Sequence, residues 1–102
     1  MSEHSVETLQ LARLILDAAK LMVDLPEETK VNILTERNIT VFQIETNKKD
    51  IGKLIGKGGR NIQSLRRIVS SIGAKLSCNC MVEIKDDHSL TYRKNKSAST
   101  EE

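Results

Sequence analysis

Apolar and polar positions recur with two different periods along this chain, and the changes of period mark its elements. In residues 5–25, Gln10, Arg13, Asp17, Lys20 and Asp24 recur at spacings of three and four and form one polar stripe. The remainder is almost wholly apolar: Leu9, Leu11, Ala12, Leu14, Ile15, Leu16, Ala18, Ala19, Leu21, Met22 and Val23. This predicts a helix with Ser5 as N-cap and Glu7 in its first turn, ended by Pro26. Its apolar arc is wider than packing on one sheet face requires, so it reads equally as a deeply buried helix or as a partner surface.

The period then drops to two. Strands are predicted at residues 30–34 and 39–45, joined by a turn at residues 35–38. With Leu34 opposite Ile39, one face carries Val31, Ile33, Thr40, Phe42 and Ile44, and this is the core face. The other carries Lys30, Asn32, Leu34, Ile39, Val41 and Gln43, which is partly apolar for an exposed face. A short helix follows at about residues 48–55, with Asn47 as cap and Asp50 three residues on, close to a capping box. A further helix is predicted over residues 60–72, apolar at Ile62, Leu65, Ile68, Val69 and Ile72, with Gly73 as its C-terminal cap. Clean alternation over residues 76–84 predicts a last strand, with Leu76, Cys78, Cys80, Val82 and Ile84 inward. Residues 86–102 are polar and aperiodic and read as a mobile tail. There are no internal repeats. The order argues for an α+β domain: a three-stranded antiparallel or mixed sheet with helices packed on one face.

Composition changes this picture only through its distribution. The net charge of the 102 residues is +2. Yet residues 48–75 hold Lys48, Lys49, Lys53, Lys57, Arg60, Arg66, Arg67 and Lys75 against Asp50 alone, while the rest of the chain is net acidic. A basic element set in an otherwise acidic domain is the electrostatic footprint of a polyanion partner. No stretch is long and apolar enough to span a bilayer, and the start lacks a signal-peptide pattern, so a cytoplasmic protein with reduced cysteines is expected.

The basic element contains the sequence's sharpest motif. Gly56, Lys57, Gly58 and Gly59 form a GxxG turn between two helical segments. Glycines let backbone run close to a phosphodiester strand, and the N–H groups and dipole of the following helix favour phosphate. Lys57 and Arg60 add two cations at the same place. The spacing does not fit a Walker A loop, which needs four residues between its glycines, nor a dinucleotide fingerprint. The candidate set for binding single-stranded nucleic acid is Lys53, Ile55, Gly56, Lys57, Gly58, Gly59, Arg60, Ile62 and Arg67. With Phe42 and Tyr92 the only aromatics, stacking platforms are excluded. Bases would instead lie in an aliphatic groove, with their edges bonded to backbone; Leu54, Ile55, Ile62 and Ile44 are candidates for its lining, although most of them read more readily as plain core.

Other chemistry finds little support. Cys78 and Cys80 lack the further ligands of a zinc site and read as small core residues, since only His4 and His88 could join them. Ser64, Ser70 and Ser71 sit on a helix with no His–acid pair nearby in sequence. No catalytic residue, metal, cofactor or small-molecule substrate is expected, and the protein does not read as an enzyme.

The stretch IGKLIGKGGRNIQSLRRIV resembles the signature of a KH domain, with Ile55 before the GxxG and Ile62 three residues after it. The element order resembles the type II arrangement, αββααβ. AAKLMVDLPEE at 18–28, together with DIGKLIGKGGR, is similar to the KhpA family of small single-KH bacterial RNA-binding proteins. That resemblance covers roughly residues 9–85, leaving residues 1–8 as an N-terminal extension and 86–102 as a tail. It implies a non-enzymatic single-stranded RNA-binding protein, proposed as an RNA chaperone, linked to cell elongation and peptidoglycan synthesis. It also implies a homodimer or a heterodimer with a KhpB-type KH protein, and phosphate clamping at Gly56, Lys57, Gly58 and Gly59. The chain departs from the pattern in having Gly58 at the second variable position, which leaves one cation in the loop. The alternative use of the same fold is as a protein-interaction subunit acting mainly through a KH partner.

Overall fold

The computed structural model describes residues 4–85. In chain order they form α1 (Val6–Met22), β1 (Lys30–Glu36), β2 (Ile39–Glu45), α2 (Ile51–Ile55), α3 (Arg60–Lys75) and β3 (Asn79–Lys85). Short 3-10 turns at Pro26–Glu28, Lys48–Asp50 and Lys57–Gly59 link them. The tail expected at residues 86–102 lies outside the described residues. Among the described residues no helix is long and apolar enough to cross a membrane.

Ser5 caps α1 as expected, its Oγ accepting from Thr8 N at 3.1 Å. The helix stops at Met22, before Pro26. The reason lies elsewhere in the chain. The Asp50 carboxylate, only 1% exposed, accepts the backbone N–H of Asp24 at 3.2 Å and of Leu25 at 3.0 Å. Those two donors are drawn out of the helix, and Pro26 opens the next turn instead, where its missing N–H costs nothing. Asp50 therefore ties α1 to α2 and does not complete a capping box, although Asn47 does cap, accepting from Lys49 N at 2.8 Å.

β1 and β2 pair antiparallel with Leu34 opposite Val41 and Glu36 opposite Ile39. The register differs by two residues from the expected Leu34–Ile39 pairing. β1 runs on to Glu36, and the turn shrinks to Arg37 and Asn38, with Arg37 at φ +55. Such a positive angle lets a two-residue turn follow the strand twist. A slip of two preserves facing, so Phe42 and Ile44 are fully buried as expected. β2 pairs parallel with β3, giving a mixed sheet of order β1-β2-β3. A parallel pair needs a long crossover, and α2, the glycine turn and α3 supply it. β3 begins at Asn79, later than expected, because Leu76–Cys78 serve the end of α3.

Helices cover one face of the sheet. Leu11, Ile15 and Ala19 of α1, Leu54 of α2, and Ile62, Leu65 and Val69 of α3 close over Phe42, Ile44, Val82 and Ile84. Only part of the apolar arc of α1 is used: Val6, Leu9, Leu14 and Leu21 stay exposed, Leu21 at 89%. On the opposite sheet face Leu34 and Met81 are exposed beside a polar ladder in which Asn32 Nδ2 donates to Gln43 at 3.1 Å and Gln43 Nε2 to Glu83 at 2.9 Å. Asn32 also bonds Glu45, and that bond holds the Glu45 carboxyl below its usual range.

Candidate nucleic-acid interface

The glycine turn is shaped by three consecutive demands on its backbone. Gly56 has φ +79 and ψ 167, and a Cβ there would stand 2.6 Å from Asn61 Cγ and 2.8 Å from Asn61 N. It must be glycine for both conformation and space. Gly58 and Gly59 have φ +63 and +78, with nothing within 4 Å of an added Cβ, so they answer to conformation alone and face open space. Gly59 N donates to Gly56 O at 2.9 Å and closes the turn. From the turn's far side, Asn61 Nδ2 donates to Lys53 O at 2.9 Å and pins α3 to α2. Sequence reading missed Asn61. Its signal was its position, two residues past the last glycine, where a short donor reaches the end of the preceding helix.

α3 starts at Arg60 with Gly59 as N-cap, and no side chain caps it. Arg60 N–H is taken up by Lys57 O, and the positive end of the α3 dipole faces the space above the turn. Lys57, Gly58 and Arg60 are exposed around that space, with Ile55, Gly56 and Gly59 half-buried beneath them. Arg67 is exposed two turns further on, roughly 10 Å along the axis on the side of Arg60. These residues form one basic track beginning at the turn.

Other expected members stand apart. Lys53 Nζ lies 3.4 Å from Asp24 and 3.8 Å from Asp50, so its charge is shared with two carboxylates. Ile62, Leu54 and Ile44 are at most 2% exposed. They are core, and the aliphatic groove expected from them is not at the surface; their apolar character serves packing under the site. Arg66, part of the basic run, donates from Nε to Val82 O at 3.1 Å, and its Nη1 is buried with no hydrogen-bond partner among the described residues. β3 is an edge strand, so half its backbone polar groups face away from β2, toward the flank of α3. Arg66 occupies one of them.

A family model described as KhpA/KhpB, KH domain, matches residues 12–84. The chain belongs to this family. The KhpA/KhpB assignment fits the αββααβ order and mixed three-stranded sheet, which are those of a type II KH fold. Similar proteins include "RNA-binding protein KhpA" of Chlamydia caviae, 32% identical over 68 residues covering 67% of this chain and 87% of that protein. The protein of the same name from Mycobacterium tuberculosis is 35% identical over 54 residues, covering 53% of this chain and 68% of that one. The one from Borreliella burgdorferi is 30% identical over 67 residues, covering 66% and 82%. Among solved structures, Era of Aquifex aeolicus aligns with a TM-score of 0.46 and 17% identity over 85% of this chain and 34% of that one.

Proposed function

We propose that this chain binds single-stranded RNA, holding the backbone of the strand on the glycine turn. The observation that carries the reading is the turn itself. Three positive-φ glycines, two of them with open space where a side chain would stand, adjoin an uncapped helix start and two exposed cations, Lys57 and Arg60. Phosphate oxygens would meet backbone N–H groups and the dipole of α3, and Arg67 would meet the strand further along. Bases would lie between the flank of α3 and the open edge of β3, bonded to strand backbone and not stacked on aromatics. KhpA relatives bear the name RNA-binding protein, which supports RNA as the ligand class. No catalytic step is part of this reading. The resemblance to the family, and not the geometry, extends it to a cytoplasmic RNA chaperone acting in cell elongation and peptidoglycan synthesis. Anisotropy titration of short single-stranded RNAs at two salt concentrations tests it. Saturable, salt-sensitive binding is expected, and the absence of binding at low salt would refute it.

The second reading, a KH partner surface, is favoured by Val6, Leu9, Leu14 and Leu21 of α1 and by Ile68 of α3, which is 52% exposed. Self-association or pairing with a KhpB-type protein would cover such a surface. Light scattering over a concentration series should show a dimer, and Ile68→Lys should lower the mass without unfolding the chain. A wild-type chain monomeric at high micromolar concentration would leave only the mixed pair.

A further inference from the structure

Cys78 and Cys80 sit at the opposite end of α3 from the glycine turn. Ser77, at φ +58, turns the chain back, and Cys78 N donates to Gly73 O at 2.8 Å. That turn brings Cys78 beside Cys80, and the two sulfurs stand 3.1 Å apart in a hydrogen bond, both residues half-buried and neither in a disulfide. Closing them to the ~2.05 Å of a disulfide needs a movement of about 1 Å. A surface cleft of about 370 Å³, lined by Ile39, Ser70, Ala74, Met81 and both cysteines, gives small molecules access. Among the described residues, the only other polar side-chain atom hydrogen-bonded to the pair is Thr40 Oγ1, 3.8 Å from Cys78 Sγ. Among the described residues no third His, Cys, Asp or Glu joins them to hold a metal ion. Two ligands fall short of zinc's four, whereas two thiols suffice for a disulfide.

We propose that Cys78 and Cys80 are a redox modification site, forming a reversible intramolecular disulfide by exchange with a small disulfide such as oxidised glutathione. The Cys78 thiolate attacks one sulfur of oxidised glutathione and expels one glutathione thiolate, leaving a mixed disulfide on Cys78. The Cys80 sulfur then attacks the Cys78 sulfur, gives its proton to solvent and expels the second glutathione. Two cysteines are oxidised and one glutathione disulfide is reduced to two thiols. The order follows from the surroundings of Cys80, whose thiol burial and the Cys78 hydrogen bond push up to about 12, so it stays protonated and is the second to react. The new bond would fix the cap of α3 to the start of β3 and narrow the cleft.

The test equilibrates the full chain in glutathione buffers of rising oxidised-to-reduced ratio, quenches with acid, alkylates and reads intact mass. Both thiols should disappear together, with loss of two hydrogen atoms, and dithiothreitol should restore them. Cys78→Ser and Cys80→Ser should lose that product and stop at a single glutathione adduct or none. The wild-type mass alone decides the matter if a variant misfolds. Wild type carrying stable glutathione adducts, a cross-linked dimer on a non-reducing gel, or two alkylatable thiols at the most oxidising ratio would each overturn the proposal.

Discussion

The two ends of α3 use glycine for opposite purposes. At the N-terminal end Gly58 and Gly59 hold left-handed angles in open space, where nothing would touch a side chain. At the C-terminal end Gly73 is helical and buried, and an added Cβ would stand 2.7 Å from Cys78 O and 3.2 Å from Cys80 Sγ. There the left-handed residue is Ser77, at φ +58. Cys78 N donates to Gly73 O at 2.8 Å and Ser77 N to Ala74 O at 3.2 Å, the two bonds of a Schellman motif with Ser77 at C′. One end leaves Gly58 and Gly59 in open space with no side-chain cap on the helix, as the close approach of a strand requires. The other consumes its backbone acceptors and packs, as a structural joint requires. Glycine frequency alone does not separate the two; the angle and the neighbours do.

The largest effect should come from breaking the open end. Lys57→Asp with Gly58→Asp puts two carboxylates where phosphate is expected. RNA affinity should fall at least about 100-fold, ~2.7 kcal/mol, while the melting temperature moves little. Asp tolerates left-handed angles better than most residues, and no neighbour meets its Cβ. Unchanged affinity in a folded double variant would remove the turn from the RNA site. The converse change belongs to the closed end. Gly73→Ala should cost about 1–3 kcal/mol in urea unfolding, since the Cys78 carbonyl is backbone and yields little. The folded fraction of that variant should keep its RNA affinity, and a variant as stable as wild type would show that the α3–β3 joint is loose.

These contrasts also mark what the sequence made legible. Element order, the facing of the sheet and the glycine turn could be read because each rests on a local period or motif. Facing survived a wrong register because a slip of two leaves every side chain on its own face. Gly73 was misread as a cap because a glycine near a helix end is ordinarily one, and its packing partner is supplied by a strand that follows. Asp50 was misread for a similar reason: its two acceptor bonds go to Asp24 and Leu25, a link that no local pattern encodes. The same link ended α1 early and brought Lys53 against two acids, which the charge count of the basic stretch did not reveal.

A smaller effect separates the cations of the open end from those held by structure. If Lys57, Arg60 and Arg67 each neutralise one phosphate, log K against log salt should have a slope of about −2, at about −0.7 per contact. Arg67→Ala should reduce the slope by one such step. Lys53→Ala should leave it nearly unchanged, because Lys53 is already partnered by Asp24 at 3.4 Å and Asp50 at 3.8 Å. Equal losses from the two substitutions would place Lys53 on the strand. A flat salt response in the wild type would mean that the track from Lys57 to Arg67 is only a solvated face.

The smallest effect sharpens the closed end. Ser77 holds a left-handed angle without the residue that favours it, and its two Schellman bonds are already made. Ser77→Gly should therefore relieve the Cβ penalty and keep both bonds. Against that gain stands the greater freedom of glycine in the unfolded chain, which takes back part of it. The net expectation is a gain of about 0.5–1 kcal/mol in urea unfolding, with an unchanged m-value and unchanged RNA affinity. The exposed position of Ser77 means that no packing is lost with its hydroxymethyl group. A loss of stability would show that Ser77 does not hold the left-handed angle in solution and that the helix end is closed some other way. A gain accompanied by altered RNA affinity would show that the two ends of α3 are coupled along its length and do not act separately.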